Sequence, residues 1–240
     1  MWFAGAARRV PGAGRPAVLR LGFDLAPGMR VGLFGGSFNP SHAGHAHVAE
    51  TALRRIGLDK VIWLVSPQNP LKPTDETAAH TRRMWGALRY AEGPSMMVSD
   101  AEVKIGSFYT IDTVRVLKAR FPRVRFVWVM GADSLASFHR WRGWTDLLRE
   151  VPVAVVDRPW SSLKGRLAPA ARRFAHARIP AAAARTLPDR APPAWVFLTA
   201  PFNFTSSTSL RRRQPPAPET PADSHLTGRA DYAKRASARG

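Results

Sequence analysis

Residues 30–57 read RVGLFGGSFNPSHAGHAHVAETALRRIG, a strand, a glycine-rich loop and a helix in succession. The run RVGLFG (30–35) is short and almost wholly apolar, the pattern of a strand covered on both faces. From 43 to 56 the spacing becomes helical, with Val48, Ala49, Ala52, Leu53 and Ile56 on one side and Gly57 placed to stop the helix. Further runs of the strand type follow: KVIWLVS (60–66), VRFVWVMG (124–131), VPVAVVD (151–157) and AWVFLT (194–199). Weaker helical spacing lies between them at 77–91, 110–121 and 133–149. Strand and helix alternate, which calls for a parallel sheet with crossover helices. The expected fold is α/β, a Rossmann-like, doubly wound parallel sheet of about five strands with helices on both faces. Ligands of such sheets bind beyond the carboxyl ends of the strands, where the strand order reverses. The loop after the first strand is therefore where chemistry is expected first.

The 240-residue chain is 45% hydrophobic and 22% charged, the balance of a protein that buries one sizeable core. A formal charge of +19 excludes an acidic solvating chain and favours anionic partners such as phosphates, nucleotides or nucleic acid. The basic excess is spread along the chain, not clustered. Cysteine is absent, which excludes a disulfide framework, a thiolate zinc site and a cysteine nucleophile, and fits a reducing, cytoplasmic location. No run of 18 apolar residues could span a membrane, and Arg8, Arg9, Pro11, Gly12, Gly14, Arg15 and Pro16 interrupt any signal-like stretch. Residues 1–29 read as a disordered extension, 30–213 as the folded domain and 214–240 as a disordered tail without apolar periodicity. Inside the domain, residues 165–193 are biased to Ala, Arg and Pro and read as a solvated connection over the surface.

The loop GGSFNPSHAGH (35–45) suits phosphate. Gly35 and Gly36 would remove the Cβ atoms that keep a phosphate from the backbone, and a helix N-terminus supplies free N–H groups and positive partial charge. His42 and His45 fall at the first helical turn, where they can donate to phosphate oxygens. The loop fits neither GxxxxGK[ST] nor GxGxxG, which disfavours a P-loop ATPase and a dinucleotide-binding dehydrogenase. A zinc site of His42, His45 and His47 lacks a nearby acid to complete it, and His47 reads as a polar surface residue. Near the other end, Ser206, Ser207 and Thr208 form a hydroxyl cluster able to cap a helix, with Arg211 one turn beyond Thr208, which makes a second anion site.

These segments carry a resemblance. GGSFNPSHAGH resembles the (H/T)xGH signature of the nucleotidyltransferase superfamily, and in its longer form, GGxFxPxHxGH, is similar to bacterial nicotinate-nucleotide adenylyltransferases. SPQNPLKPT (66–74) resembles the family's loop after the second strand, although the usual Pro-Pro-His-Lys is here Pro-Leu-Lys. GSFYTIDTV (106–114) is similar to its Ser-Tyr-Thr-x-Asp-Thr-Leu element, with Phe108 ahead of Tyr109-Thr110. GADSLASFHRW (131–141) resembles its Gly-x-Asp-Ser-Leu…Trp segment, and SSTSLR (206–211) its Ser-Ser-Thr-x-Ile-Arg element. The blocks stand in family order across 31–213.

The resemblance implies a nucleotidyltransferase domain over 30–213 that moves the adenylyl group of ATP to nicotinate mononucleotide. It implies His42, His45 and Arg211 as the catalytic set. ATP would meet Gly35, Gly36, Ser37, Phe38, His42, His45, Gly131, Asp133, Ser206, Ser207, Thr208 and Arg211. The mononucleotide would meet Ser37, Lys72, Tyr109, Thr110, Trp141 and Arg142, with Trp141 stacking on the pyridine ring. A helix N-cap is the competing role for Asp133, core packing the competing role for Trp141 and Trp144, and Arg158 resembles a family arginine near the nucleotide. Mg²⁺ is implied with the triphosphate, held by phosphate and water oxygens, with no protein metal site. A superfamily transferase with another acceptor, nicotinamide mononucleotide or phosphopantetheine, is the alternative, and a basic nucleic-acid-binding module the remote one. Nucleic acid and membrane are not expected as primary partners, and the oligomeric state, a homo-oligomer included, stays open.

Overall fold

The computed structural model of the chain describes residues 21–67, 78–157 and 167–199. Seven parallel strands form one sheet in the order β3-β2-β1-β4-β5-β7-β6. They are β1 (Arg30–Gly36), β2 (Lys60–Val65), β3 (Met96–Ser99), β4 (Arg125–Gly131), β5 (Val153–Val156), β6 (Arg178–Ile179) and β7 (Trp195–Leu198). The five apolar runs all become strands, but the expectation of about five strands falls short by the two edges. β3 is only four residues long and half-buried, and β6 is a two-residue strand inside the Ala/Arg-rich stretch, so neither gives a strong apolar run.

Among the described residues the α-helices are α1 (Ala43–Ala52), α2 (His80–Leu88), α3 (Ala101–Ile105), α4 (Thr110–Arg120), α5 (Ala132–Ser137), α6 (Trp144–Glu150) and α7 (Pro169–Arg173). The expected helix 43–56 is an α-helix that ends in a π-helical turn, Leu53–Gly57, closed by Gly57 at φ 73°. The expected helix 133–149 is broken: α5 tightens into a 3₁₀ turn at Phe138–Arg140, and Gly143 at φ 65° turns the chain into α6. Alternate residues of β1 face two separate cores. Val31 and Leu33 pack with α3, α4, α5, α6 and α7, while Phe34 packs with α1, Ala87 of α2 and the 3₁₀ segment Ala181–Asp189. This is why the strands read as unbroken apolar runs.

Two expectations about the flanks need correction. The extension assigned to 1–29 is not outside the fold over 21–29: Leu21 and Leu25 are buried in the core and Phe23 stacks on Phe121 at 5.9 Å. The connection 165–193 is not a solvated spacer over its described part. Ala170, Ala171, Phe174, Ile179, Ala184 and Leu187 are buried there, and Asp189 holds both Arg30 (2.8 Å) and Arg125 (2.7 Å) at the amino ends of β1 and β4. Small alanines bury little area each, so an Ala-rich core segment resembles a solvated one in composition.

The glycines at the end of β1 also serve the packing beneath the loop. A Cβ on Gly35 would lie 2.3 Å from Cη2 of Trp128, and one on Gly36 would lie 3.1 Å from the Phe38 ring. The space their missing Cβ atoms leave is taken by aromatic rings of the protein itself, so these glycines are required by packing beneath the loop.

Gly35→Ala should therefore lower stability by about 1–3 kcal/mol, the cost of overpacking a closed site, because Trp128 is 1% exposed and has nowhere to retreat. Gly36→Ala should cost less, and equal urea midpoints for Gly35→Ala and the parent chain would contradict the packing role. A second expectation concerns Glu102 on α3, whose burial pushes its carboxyl from 4.5 up to about 7, opposed by the hydrogen bond donated by Thr113 Oγ1 at 3.4 Å. A raised acid stabilises the fold fully below about 4.5, and that contribution is lost as pH rises through about 7. Glu102→Gln should then be more stable than the parent at pH 8, by up to roughly 3 kcal/mol, with the advantage gone at pH 4. Urea unfolding at the two pH values checks it, and a difference independent of pH would refute it.

Candidate active site

The chain order turns back between β1 and β4, which places the crevice of the sheet at their carboxyl ends. The loop from β1 ends in a cap built from two histidines. His42, fully buried in an extended conformation, is the N-cap of α1, and its Nδ1 accepts the N–H of Gly44 at 3.0 Å. In return, the His42 N–H donates to Nδ1 of His45 at 3.3 Å. This is the reciprocal geometry of a capping box, with imidazoles in place of the usual hydroxyl and carboxylate. The rings lie 3.9 Å apart. Since both Nδ1 atoms accept, a neutral ring at either position carries its hydrogen on Nε2. The cap thus fixes the tautomer and aim of both rings, with His42 Nε2 buried, beside a helix start whose own N–H groups favour an anion.

Phe38 holds the turn that leads to this cap. Its backbone lies at φ 47°, a left-handed conformation seldom adopted by a bulky residue, and the turn continues through a cis Asn39–Pro40 bond. Its ring, 1% exposed, packs against Phe34, Trp63 and His45 at centroid distances of 5.3, 5.2 and 5.1 Å. The Phe38 side chain thus belongs to the core, which leaves its backbone to border the loop.

The other side of the crevice is built after β4 and before α4. Gly131 is the N-cap of α5, so the alternative of a cap role for Asp133 does not hold, and Asp133 sits exposed in the first turn. Tyr109 is the N-cap of α4, which Thr110 opens, and the Arg142 guanidinium lies 4.4 Å above the Tyr109 ring. Trp141 is half-buried, edge-on to Trp128 at 6.3 Å and to Phe138 at 5.3 Å. Trp144 packs between Phe138 and Phe174, as a core aromatic would. His47 departs from the surface position expected of it: it is half-buried, and its Nε2 is buried without a hydrogen-bond partner.

Lys72, Arg158, Ser206, Ser207, Thr208 and Arg211 lie outside the described residues. Among the described residues no group of three or more His, Asp or Glu could hold a metal ion, and no helix is long and apolar enough to cross a membrane.

Sequence reasoning passed over Arg83. It sits on α2, 2% exposed, and among the described residues donates to backbone carbonyls alone: Nε to Ala78 (3.0 Å), Nη1 to Ser37 (2.8 Å) and Ser66 (2.7 Å), and Nη2 to Pro67 (2.7 Å). Burial holds its pKa below the ordinary arginine value. Its signal in the sequence is a basic residue four before Ala87 on the buried face of an amphipathic helix.

The sequence profile of the cytidylyltransferase-like family matches residues 33–213. The chain is 69% identical over 186 residues to a protein of Caulobacter sp. (strain K31) named "Probable nicotinate-nucleotide adenylyltransferase", covering 78% of this chain and 98% of that one. It is 54% identical over 185 residues to a protein of the same name from Methylorubrum extorquens, covering 77% of this chain and 100% of that one. A solved structure, Plasmodium falciparum nicotinic acid mononucleotide adenylyltransferase complexed with NaAD, superposes with a TM-score of 0.55 at 15% identity, over 77% of this chain and 83% of that one, a likeness of fold. With its histidine-capped loop at the sheet's switch point and relatives of this identity and coverage, the chain belongs to the nicotinate-nucleotide adenylyltransferases of the cytidylyltransferase-like family.

Proposed function

We propose that the protein transfers the adenylyl group of ATP to nicotinate mononucleotide, giving deamido-NAD and pyrophosphate, as a cytoplasmic enzyme of NAD synthesis. The observation that carries this reading is the pair of Nδ1 acceptors at the start of α1, which commits His42 and His45 to Nε2–H donation at the switch point. An oxygen of the mononucleotide 5′-phosphate attacks the α-phosphorus of ATP. The new P–O bond forms as the bond to the bridging oxygen breaks, and pyrophosphate leaves with the electron pair. The substrate is itself the nucleophile, so the protein has to align two anions and neutralise charge on the non-bridging and leaving oxygens.

His45 is assigned to the developing charge on the α-phosphate, with His42 holding the phosphates beside it. The loop 35–38 is assigned to line the approach through its backbone, and Asp133, exposed beyond β4, is assigned to ribose hydroxyls. Arg211, with Ser206, Ser207 and Thr208, is assigned to the leaving pyrophosphate from the sequence alone. Mg²⁺ supplies charge neutralisation when it arrives with the triphosphate. The described residues offer no carboxylate cage for it, so phosphate and water oxygens would hold it.

For the acceptor, Tyr109, Thr110, Trp141 and Arg142 form the candidate pocket, with Ser37 and Lys72 assigned from the resemblance. The N-terminus of α4 brings N–H donors, Arg142 brings a guanidinium over Tyr109, and Trp141 offers a ring face. Surroundings made of donors suit a carboxylate, which only accepts, and penalise a carboxamide, whose NH₂ would face other donors.

His45→Ala should lower kcat by at least about 100-fold, the scale of one lost preorganised donor, in a chain that still folds. Normal turnover in that variant would remove His45 from the chemistry. Incubating the protein with ATP, Mg²⁺ and nicotinate mononucleotide, nicotinamide mononucleotide or phosphopantetheine, and weighing the products, tests the reaction itself. Deamido-NAD should form with kcat/KM on the order of 10² or more above that for the amide, from one or two lost or repulsive charged hydrogen bonds. Equal kcat/KM for the acid and the amide would make the enzyme a broad pyridine-nucleotide adenylyltransferase, and product from phosphopantetheine alone would overturn the reading.

A further inference from the structure

We propose that Arg83 is a positioning residue of the reaction, a buried clamp that sets the turn delivering His42 and His45 and ties it to the loop after β2. The proposal rests on the adenylyltransferase reading for what the two histidines do, and on geometry for the rest. One guanidinium joins segments remote in sequence: Ser37 in the loop after β1, Ser66 and Pro67 after β2, and Ala78 just before α2. Among the described residues no carboxylate shares the site with it. A buried cation partnered there by carbonyls alone is an expensive way to staple a surface loop, since two neutral donors could bridge the same carbonyls without the cost of desolvating a charge. A planar fork, however, reaches carbonyls in fixed directions, as no ammonium can.

The neighbouring contacts of α2 point to the same turn. The Ala78 N–H donates to Asn39 Oδ1 at 3.4 Å, His80 Nε2 lies 3.0 Å from the Val65 carbonyl, and the Cβ position of Gly86 lies 3.7 Å from Ser41 Oγ. Turn 37–41 is thus braced by α2 from Ser37 to Ser41, and it contains the left-handed Phe38. A residue in that conformation keeps it only where the surroundings over-determine it. His42 follows directly, so the aim of its Nε2–H is set by a turn that Arg83 holds at its start. The same guanidinium also holds Ser66 and Pro67, directly after β2. The carboxyl ends of β1 and β2 therefore share one anchor.

The test compares the full chain with Arg83→Ala and Arg83→Lys, each checked for folding by circular dichroism. Arg83→Ala should lower kcat on the order of 10²-fold, the scale of a small misplacement at the reacting groups, with the KM for ATP changed less than tenfold. Millimolar guanidinium should restore a measurable part of that rate and leave the parent unchanged. Arg83→Lys, which keeps the charge and loses the fork, should stay impaired. Nitrogen NMR of the imidazoles gives a readout without substrate: single Nε2–H tautomers for His42 and His45 in the parent, averaged tautomers in Arg83→Ala.

A folded Arg83→Ala with the parent's kcat and imidazole signals overturns the proposal, as does a slow variant that guanidinium does not rescue and whose tautomers are unchanged. If the alanine chain fails to fold, a folded Arg83→Lys with parental kcat overturns it, and if neither folds Arg83 is a folding residue and the proposal falls. A parent chain that makes no dinucleotide would sink the functional reading instead, while the imidazole comparison would still decide whether Arg83 sets the histidines.

Discussion

The hydrogen bonds exchanged between His42 and His45 at the start of α1 constrain everything else at the carboxyl end of the sheet. A cap made by serine or aspartate satisfies the helix and leaves nothing over for a ligand. A cap made by two imidazoles uses Nδ1 of each ring for the helix, and by doing so fixes the tautomer and the aim of both rings. The helix cannot start properly unless the histidines are aimed, and they cannot be aimed without the turn before them. Phe38, in its left-handed conformation and wedged between Phe34 and Trp63, and α2, lying along the turn, are the structural consequences of that requirement.

The floor of the crevice obeys a related constraint. Leu33 of β1 pairs with Trp128 of β4, and the Trp128 ring then rises past Gly35 to meet Trp141 edge-on. A glycine at the end of a strand under a phosphate loop invites the explanation that a ligand needs the room. Here an indole takes it, and the benefit to a ligand is indirect. Trp128 supports Trp141, Phe138 supports both Trp141 and Trp144, and the outward face of Trp141 is held on a closely packed aromatic stack. A ring fixed in this way loses little further freedom when another ring stacks on it.

How much of this could be read from the sequence follows from how each element is stabilised. The inner strands, buried on both faces, betray themselves as apolar runs, and the loop 35–45 stands out as a cluster of glycine, proline and histidine between strand and helix. The edge strand β3 (Met96–Ser99) and the two-residue β6 (Arg178–Ile179) are too short to show a pattern, and 133–149 hides its break because Gly143 sits in a helical-looking context. The described part of 165–193 buries alanines, which look the same in composition whether covered or not. On the site itself, the pairing of Tyr109 with Arg142 and the separate fates of Trp141 and Trp144 come from residues that the resemblance had singled out. Arg83 was invisible because an arginine in HTRRMWGAL reads as solvated charge. Only the four carbonyls, which are backbone groups and leave no trace in the sequence, reveal where it points.

That last point changes the meaning of the +19 charge. Taken as a total, it suggests a polyanion partner. Residue by residue, part of the arginine content is structural: Arg83 is buried against carbonyls, Arg30 and Arg125 share Asp189, Arg178 lies over the rings of Trp195 and Phe197, and Arg142 lies over Tyr109. Each uses the flat, donor-rich, weakly hydrated guanidinium as a packing group, a use that lysine does not match. The remaining exposed charge gives the molecule a long-range attraction for anionic nucleotides that salt will screen. Local geometry acts at shorter range: the histidine cap and the helix start that it forms are held in place by packing. A field of this kind raises the rate at which any anion arrives. Which anion then reacts depends on short-range contacts, at the proposed acceptor pocket around Tyr109 and Trp141 as well as at the end of β1.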